Sequence, residues 1–308
     1  MIKRPARKDS DMKFGLMGNL EKTQITPVLT ELLRTLEGKH VECYLADDLA
    51  EFIDRQTGRR VMDDDHRRSS KQLVELCDIL IALGGDGTML SAARLVGSKG
   101  TPILGVNLGK LGFLAEVSVE DLHRSIDEIL SNRYLIEDRT VLEATASGSA
   151  TRFQGLNDIV IDKAGSARVI TLKISVDEDY LGTYSADGLI VATPTGSTAY
   201  SLASGGPIVV PASRVITLTP ISPHTLTARS VIVPDTSTIT VEVEGKARGV
   251  HIMADGQFEE VLSSPVKVTV RKGDYSIRLV KRKDRTYYDV LRTKLMWGRD
   301  VRISDSHD

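Results

Sequence analysis

Cysteine is nearly absent from this chain, with Cys43 and Cys77 alone among 308 residues. Two such residues cannot build the disulfide framework of a small secreted domain, so a reducing compartment, the cytoplasm, is expected. Neither has a partner at metal-ligand spacing, and the six histidines (40, 66, 123, 224, 251 and 307) show no metalloenzyme pattern either. No protein-built metal site is therefore expected. Net charge is also scarce: 40 basic against 42 acidic side chains leave −2. Without a global positive field there is nothing to drive counterion release, and nucleic acid is not expected as a partner. No apolar run approaches the ~20 residues that cross a bilayer, so no membrane association is expected. The segment Met1 to Met12 carries Lys3, Arg4, Arg7 and Lys8 but no apolar stretch follows it, unlike a secretory signal. A solvated tail is expected there.

What is present is ordinary globular usage, 41% hydrophobic and 27% charged, in a length that suits about two domains. The first half alternates short apolar runs with helical spacing. Lys13-Phe14-Gly15-Leu16-Met17 reads as a buried strand, and Ile25, Val28, Leu29, Leu32, Leu33 and Leu36 then mark one helical face that Gly38 would end. Val41 to Leu45 is a second strand, Arg55 to Arg68 a charged loop, and Ser69 to Leu76 a helix. The continuous strand Asp78 to Leu83, the helix Met89 to Val96, the strand Pro102 to Val106 and a helix through Leu122, Ile126, Ile129 and Leu130 follow. Such alternation implies a parallel sheet covered by helices over 13–137. After about Asp138 the period becomes two, in Val169 to Val176, Ile239 to Val243, Val266 to Val270 and Tyr275 to Val280. Turns are expected at Glu178-Asp179, Glu244-Gly245 and Lys272-Gly273-Asp274. The fold class is thus α/β plus all-β, with a β-sandwich-like domain over 138–285. The helix-like stretch Tyr287 to Trp297 lies in a tail, 286–308, expected to return to the first domain.

The chemistry points to one loop. A buried strand runs into Gly84-Gly85-Asp86-Gly87-Thr88 and then into a helix. Glycines let the backbone approach a phosphate and accept positive φ, and the helix start offers unpaired N–H groups. Three glycines around one aspartate exceed what a plain turn needs. The Walker pattern G-x-x-x-x-G-K-[ST] occurs nowhere. The dinucleotide fingerprint G-x-G-x-x-G nearly occurs from Gly85, but Leu90 stands where its last glycine should be.

Taken alone, the loop is similar to those of diacylglycerol kinases and phosphofructokinases. Other segments narrow the resemblance. Asn107-Leu108-Gly109-Lys110-Leu111-Gly112-Phe113-Leu114, the pair Asn157-Asp158, and the run from Asp187-Gly188 through Thr193-Pro194-Thr195-Gly196-Ser197-Thr198-Ala199-Tyr200-Ser201 to Gly206-Pro207 resemble the NAD kinase family. The resemblance spans roughly Lys13 to Trp297, omits the basic start and is loose in the Arg55 to Arg68 loop.

The resemblance implies a cytoplasmic transferase in which ATP, with polyphosphate as the other donor, phosphorylates the adenosine ribose 2′-hydroxyl of NAD. Asp86 would be the general base. A carboxylate is too weak a base to ionise a hydroxyl before attack, but in a loose transition state it need only orient the nucleophile and take its proton late. Gly85 and Gly87 would bring backbone N–H groups to phosphates, and Asn157 and Asp158 would bond adenine and ribose. Many family members carry glutamate in place of Asp158, which implies a shorter reach here. Asp187 would lie near the nicotinamide end, and Thr198, Ala199, Tyr200, Ser201, Leu202 and Ala203 would wrap the adenosine. Arg168, where the family often has a basic or imidazole side chain, would meet phosphate, with Ser185 and Gln257 nearby by position. The divalent cation, Mg²⁺ or another, would arrive on the donor phosphates rather than in a protein cage. Family members are usually homodimers or homotetramers. A lipid kinase built on the same loop, or a dinucleotide sensor without turnover, are the other readings. No basic amphipathic helix suits the former, and retention of Asp86 speaks against the latter.

Overall fold

The computed structural model describes residues 12–244 and 249–297. The basic start, the 298–308 end of the expected returning tail and the Gly245 half of the Glu244-Gly245 turn lie outside the described residues. The chain forms two compact units. The first runs up to Glu137 and resumes at Arg278, and the second is Asp138–Ile277.

In the first unit the strands β1 (Lys13–Gly18), β2 (Glu42–Ala46), β3 (Arg67–Arg68), β4 (Ile79–Gly84), β5 (Ile103–Asn107) and β6 (Val117–Ser118) are separated by helices. These are α1 (Ile25–Gly38), α2 (Asp47–Thr57), α3 (Ser70–Leu76), α4 (Asp86–Val96) and α5 (Leu122–Leu130). The pairings β5-β4-β1-β2-β3 are all parallel. That is the outcome expected when each strand is followed by a crossover helix. Every residue of β4 is buried. Leu80, Ile81 and Leu83 are fully buried, and each contributes about 1.5–3 kcal/mol relative to exposure. The helix α1 buries Ile25, Val28, Leu29, Leu32 and Leu36, the face that the spacing marks.

Two sequence expectations are corrected. Arg55 is not the start of a loop. It falls inside α2, which buries Leu49, Ala50 and Ile53 and ends on Gly58 in the left-handed region. Its charged outer face hides that apolar stripe from a simple reading. The Lys272-Gly273-Asp274 stretch is not a turn but the middle of one 16-residue strand.

In the second unit, β7 (Leu135–Ala146), β8 (Arg152–Gly155), β10 (Ile170–Val176), β11 (Asp179–Ala186) and β15 (Ile239–Glu244) join that long strand, β18 (Val266–Lys281), in one sheet. The other sheet contains β9 (Asp158–Asp162), β12 (Gly188–Ala192), β13 (Val215–Ile221), β14 (Val231–Pro234), β16 (Val250–Ala254) and β17 (Phe258–Leu262). It is antiparallel throughout, in the order β14-β13-β12-β9-β16-β17. One apolar core serves both sheets: Leu172, Val241 and Val268 pack in the same cluster as Ile159, Leu189 and Ile252. This is the sandwich that the period-two pattern implies. The second crossing between units falls at Arg278, within β18, rather than at the 286 expected from the end of the alternating pattern. Beyond it Leu279 pairs in parallel with Ile103 of β5, and α6 (Tyr287–Leu295) follows.

Candidate active site

In the first unit the centre of the arrangement is Asp86, the first residue of α4. The glycines before it do not adopt the positive φ that the loop composition suggests. Gly85 is extended, at φ −129 and ψ −163. Smallness matters at Gly84, where a Cβ would stand 2.0 Å from Thr88 Oγ1, and at Gly112 in a neighbouring loop that reaches Asp86. Phe113 N–H donates to Asp86 Oδ2 at 2.8 Å, and Leu114 and Ala115 N–H groups donate to Oδ1 at 2.9 and 3.1 Å. A Cβ on Gly112 would stand 1.9 Å from Oδ1, so only glycine lets that loop close over the carboxylate. The loop is itself fixed at its root, where the Asn107 side chain accepts from Gly109 N–H at 2.9 Å and donates to the Lys110 carbonyl. A carboxylate has about four lone-pair positions. Both on Oδ1 are filled, and one remains on Oδ2. The arrangement therefore presents a fixed carboxylate with one open hydrogen-bond acceptor position, at the carboxyl end of a parallel sheet and beside a helix start.

The second unit holds a different carboxylate pair. Asp255, in a left-handed turn after β16, accepts from Leu156 N–H at 2.8 Å, Asn157 N–H at 2.7 Å and Asp158 N–H at 3.2 Å. Asp158 is 4% exposed, and no donor among the described residues hydrogen-bonds its carboxyl. Burial first, and then the charge of Asp255, push that carboxyl up to about 7. The Asn157 backbone is clamped from the other side. Its carbonyl accepts from Thr193 N–H at 2.8 Å, and Thr193 Oγ1 donates to the Leu156 carbonyl at 2.6 Å. A Cβ on Gly196 would lie 2.0 Å from the Asn157 carbonyl oxygen, a backbone atom with nowhere to go. Gly196→Ala is therefore expected to lower stability by roughly 3 kcal/mol, the upper end for overpacking. Chemical denaturation checks this, and an unchanged midpoint would show that the turn yields.

The other sequence-predicted residues divide by place. Thr198 and Ala199 are half-buried, Tyr200 and Ala203 are exposed, and Leu202 is intermediate. Ser201 is fully buried with its hydroxyl 3.1 Å from that of Thr219, so its polar atom is engaged inside the unit. Gln257 is exposed in the turn beside Asp255. Arg168, Ser185 and Asp187 are elsewhere. Asp187 precedes the Gly188 end of β12 and receives the Lys163 ammonium at 2.7 Å, whereas Asp158 pairs with Ala192 at the far end. Four residues separate those pairings along the strand, roughly 13 Å at 3.3 Å per residue. Arg168 and Ser185 are exposed around the start of β10. The N–H cradle of Asp86 and the carboxylate of Asp255 are the functional features that the sequence reading missed. Phe113-Leu114 lie in a quoted motif but carry no side-chain signal for a backbone donor, and Asp255-Gly256 reads as a plain turn.

The ATP-NAD kinase N-terminal domain matches residues 14–134 and the ATP-NAD kinase C-terminal domain matches 156–282. An NAD kinase of Bacteroides fragilis is 40% identical over 294 residues, covering 95% of this chain and all of that protein. One from Syntrophotalea carbinolica is 40% identical over 93% of this chain and 99% of its own length. Among solved structures, yeast NADH kinase complexed with NADH superposes with a TM-score of 0.85 at 26% identity, over 96% of this chain and 90% of that one. An NAD kinase from Archaeoglobus fulgidus in complex with ATP shares the fold at a TM-score of 0.72 and 22% identity, covering 92% and 99% of the two chains. A fixed carboxylate at a glycine-rich strand–helix junction, both family domains in order and full-length relatives at 40% identity lead to one conclusion: the chain belongs to the NAD kinase family and is a phosphotransferase.

Proposed function

We propose that the chain transfers the terminal phosphoryl group of ATP to the 2′-hydroxyl of the adenosine ribose of NAD. The observation that carries this reading is the Asp86 carboxylate, held by three backbone N–H groups with one acceptor position open on Oδ2. The ribose O2′ forms a bond to the γ-phosphorus as the bond from that phosphorus to the β–γ bridging oxygen breaks, and ADP departs. The hydroxyl proton passes to Asp86 Oδ2. Because the N–H donors pre-set the carboxylate, orienting the hydroxyl costs little reorganisation in the transition state. Gly85 and Gly87 would offer backbone to phosphate, and Asn157 with the buried Asp158 carboxyl would receive adenine and ribose. The segment Thr198 to Ala203 would close over the adenosine, with Tyr200 as its aromatic wall. Arg168 and Asp187 would serve the phosphate and nicotinamide parts, with Ser185 and Gln257 as outer contacts. Asp187 lies at the opposite end of β12 from the Asp158 pairing, whereas Gln257 stays beside Asp255, and this spread of contacts suits a homodimer or homotetramer.

The donor set fits a divalent cation brought in by phosphate. No three His, Cys, Asp or Glu side chains cluster among the described residues, and Mg²⁺ prefers phosphate and water oxygens. When bound, it would neutralise charge on the donor phosphates. No helix among the described residues is long and apolar enough to cross a membrane.

Purified protein supplied with NAD, MgATP or polyphosphate is expected to form NADP, read with an NADP-specific dehydrogenase, and to lose activity when the cation is chelated. Parallel reactions with NADH read the acceptor preference, since the yeast relative is named an NADH kinase. Binding of NAD without product would instead identify a sensor, and neither binding nor product would reopen the lipid kinase reading.

A further inference from the structure

The loop that holds Asp86 is itself held by the segment that returns to the first unit. Glu116 follows Ala115, whose N–H donates to Asp86 Oδ1. The Glu116 carboxylate pairs with the Lys281 ammonium, and both side chains are largely buried, 11% and 14% exposed. The Glu116 backbone carbonyl accepts from Arg285 at 2.8 Å. At the loop's other end the Lys294 ammonium lies 5.6 Å from the ring centroid of Phe113, whose N–H donates to Oδ2. Three cations of one segment thus hold the first donor residue, Phe113, and the residue after the last one, Glu116.

We propose that Arg285, with Lys281 and Lys294, is a positioning residue for the reaction. These side chains set the register of the 113–115 N–H groups, and through those backbone donors the direction of the free Oδ2 lone pair. The inference rests on the reading of Asp86 as the proton acceptor. A guanidinium on one carbonyl is a sharper fastener than packing alone, because it fixes the Glu116–Val117 peptide plane, two planes beyond the one that carries the Ala115 N–H. A carboxylate turned by a fraction of an ångström still binds its donors but no longer meets the hydroxyl in line.

Arg285→Ala in the full chain is expected to lower kcat by about 10-fold to 100-fold, with KM for NAD and ATP altered less than about twofold. Arg285→Lys keeps a cation near the Glu116 carbonyl and should recover most of the loss. In an Asp86→Asn background the same Arg285→Ala change should lower kcat no further, because a base that is gone cannot be misplaced. A merely structural role predicts the opposite, equal losses in both backgrounds. If Arg285→Ala fails to fold, Lys294→Ala, at a partly exposed helix position, carries the same comparison. Normal kcat in these variants, or losses that add to that of Asp86→Asn, would overturn the inference while leaving the role of Asp86 intact. Near-normal turnover by Asp86→Asn alone would overturn both.

Discussion

Asp86→Asn is expected to cut turnover by at least about 10²-fold, the low end for loss of an acid–base group, with only a modest change in NAD affinity. Two effects act together. The amide cannot accept the hydroxyl proton, and one of its two ends must become a donor. Oδ1 faces two N–H groups and Oδ2 faces one. The amide oxygen will therefore occupy the Oδ1 place, leaving the NH₂ pointed at the Phe113 N–H. One donor is orphaned and the loop loosens, which costs further positioning. The measurement is steady-state kinetics beside calorimetric NAD binding. Turnover within a few-fold of normal would remove Asp86 from the chemistry.

Asp158→Asn is expected to stabilise the protein at alkaline pH and not at acid pH. The carboxyl ionises near 3.8 in an unfolded chain but near 7 in the fold. Between those values folding takes up a proton, so the stability present in full below about 4 is lost as pH rises to about 7. Above that the loss is constant. Three units at about 1.4 kcal/mol each set an upper scale of ~4 kcal/mol. Asparagine mimics the protonated acid in shape and carries no charge to repel Asp255. The variant should therefore match the parent near pH 4 and exceed it by roughly 2–4 kcal/mol above pH 7. Denaturant titrations at pH 4.5 and 8 decide the matter, since parallel stability curves would show that Asp158 is not raised. The same variant should bind NAD more weakly if that carboxyl receives the ribose. The two effects have opposite signs at pH 8 and so separate cleanly.

Local signals carried well from sequence to structure, and contacts distant along the chain did not. The buried strand Ile79–Gly84, the glycines and the helix after Asp86 are contiguous, so hydrophobic runs and turn chemistry reveal them. The donors to Asp86 lie 27 to 29 residues away, and those to Asp255 lie 97 to 99 away. Backbone N–H groups carry no side-chain signature, so nothing in the string marks Leu114 or Leu156 as a donor. The same holds for Lys281 and Arg285, which read as surface charge in a basic stretch. The helix Asp47–Thr57 escaped because its cap residue, Ala46, offers no side-chain oxygen and its buried stripe is only Leu49, Ala50 and Ile53. The strand through Gly273 escaped for a converse reason. Lys-Gly-Asp is ordinary turn chemistry, yet here all three residues continue the strand, and even a Cβ at Gly273 would meet Val141 only at ordinary contact distance.

The order of the units along the chain also dictates the order in which they can mature. The second unit is a single uninterrupted stretch, Asp138–Ile277, whereas the first requires Arg278 onward. During synthesis the sandwich can therefore close while its neighbour still lacks the Leu279 pairing with Ile103 and the Lys281 hold on Glu116. A ribosome that stalls or stops short near residue 278 would release a finished sandwich joined to an incomplete first unit, its Asp86 loop without those fastenings. Full competence would thus be conferred only once the stretch from Arg278 through the Tyr287–Leu295 helix has emerged.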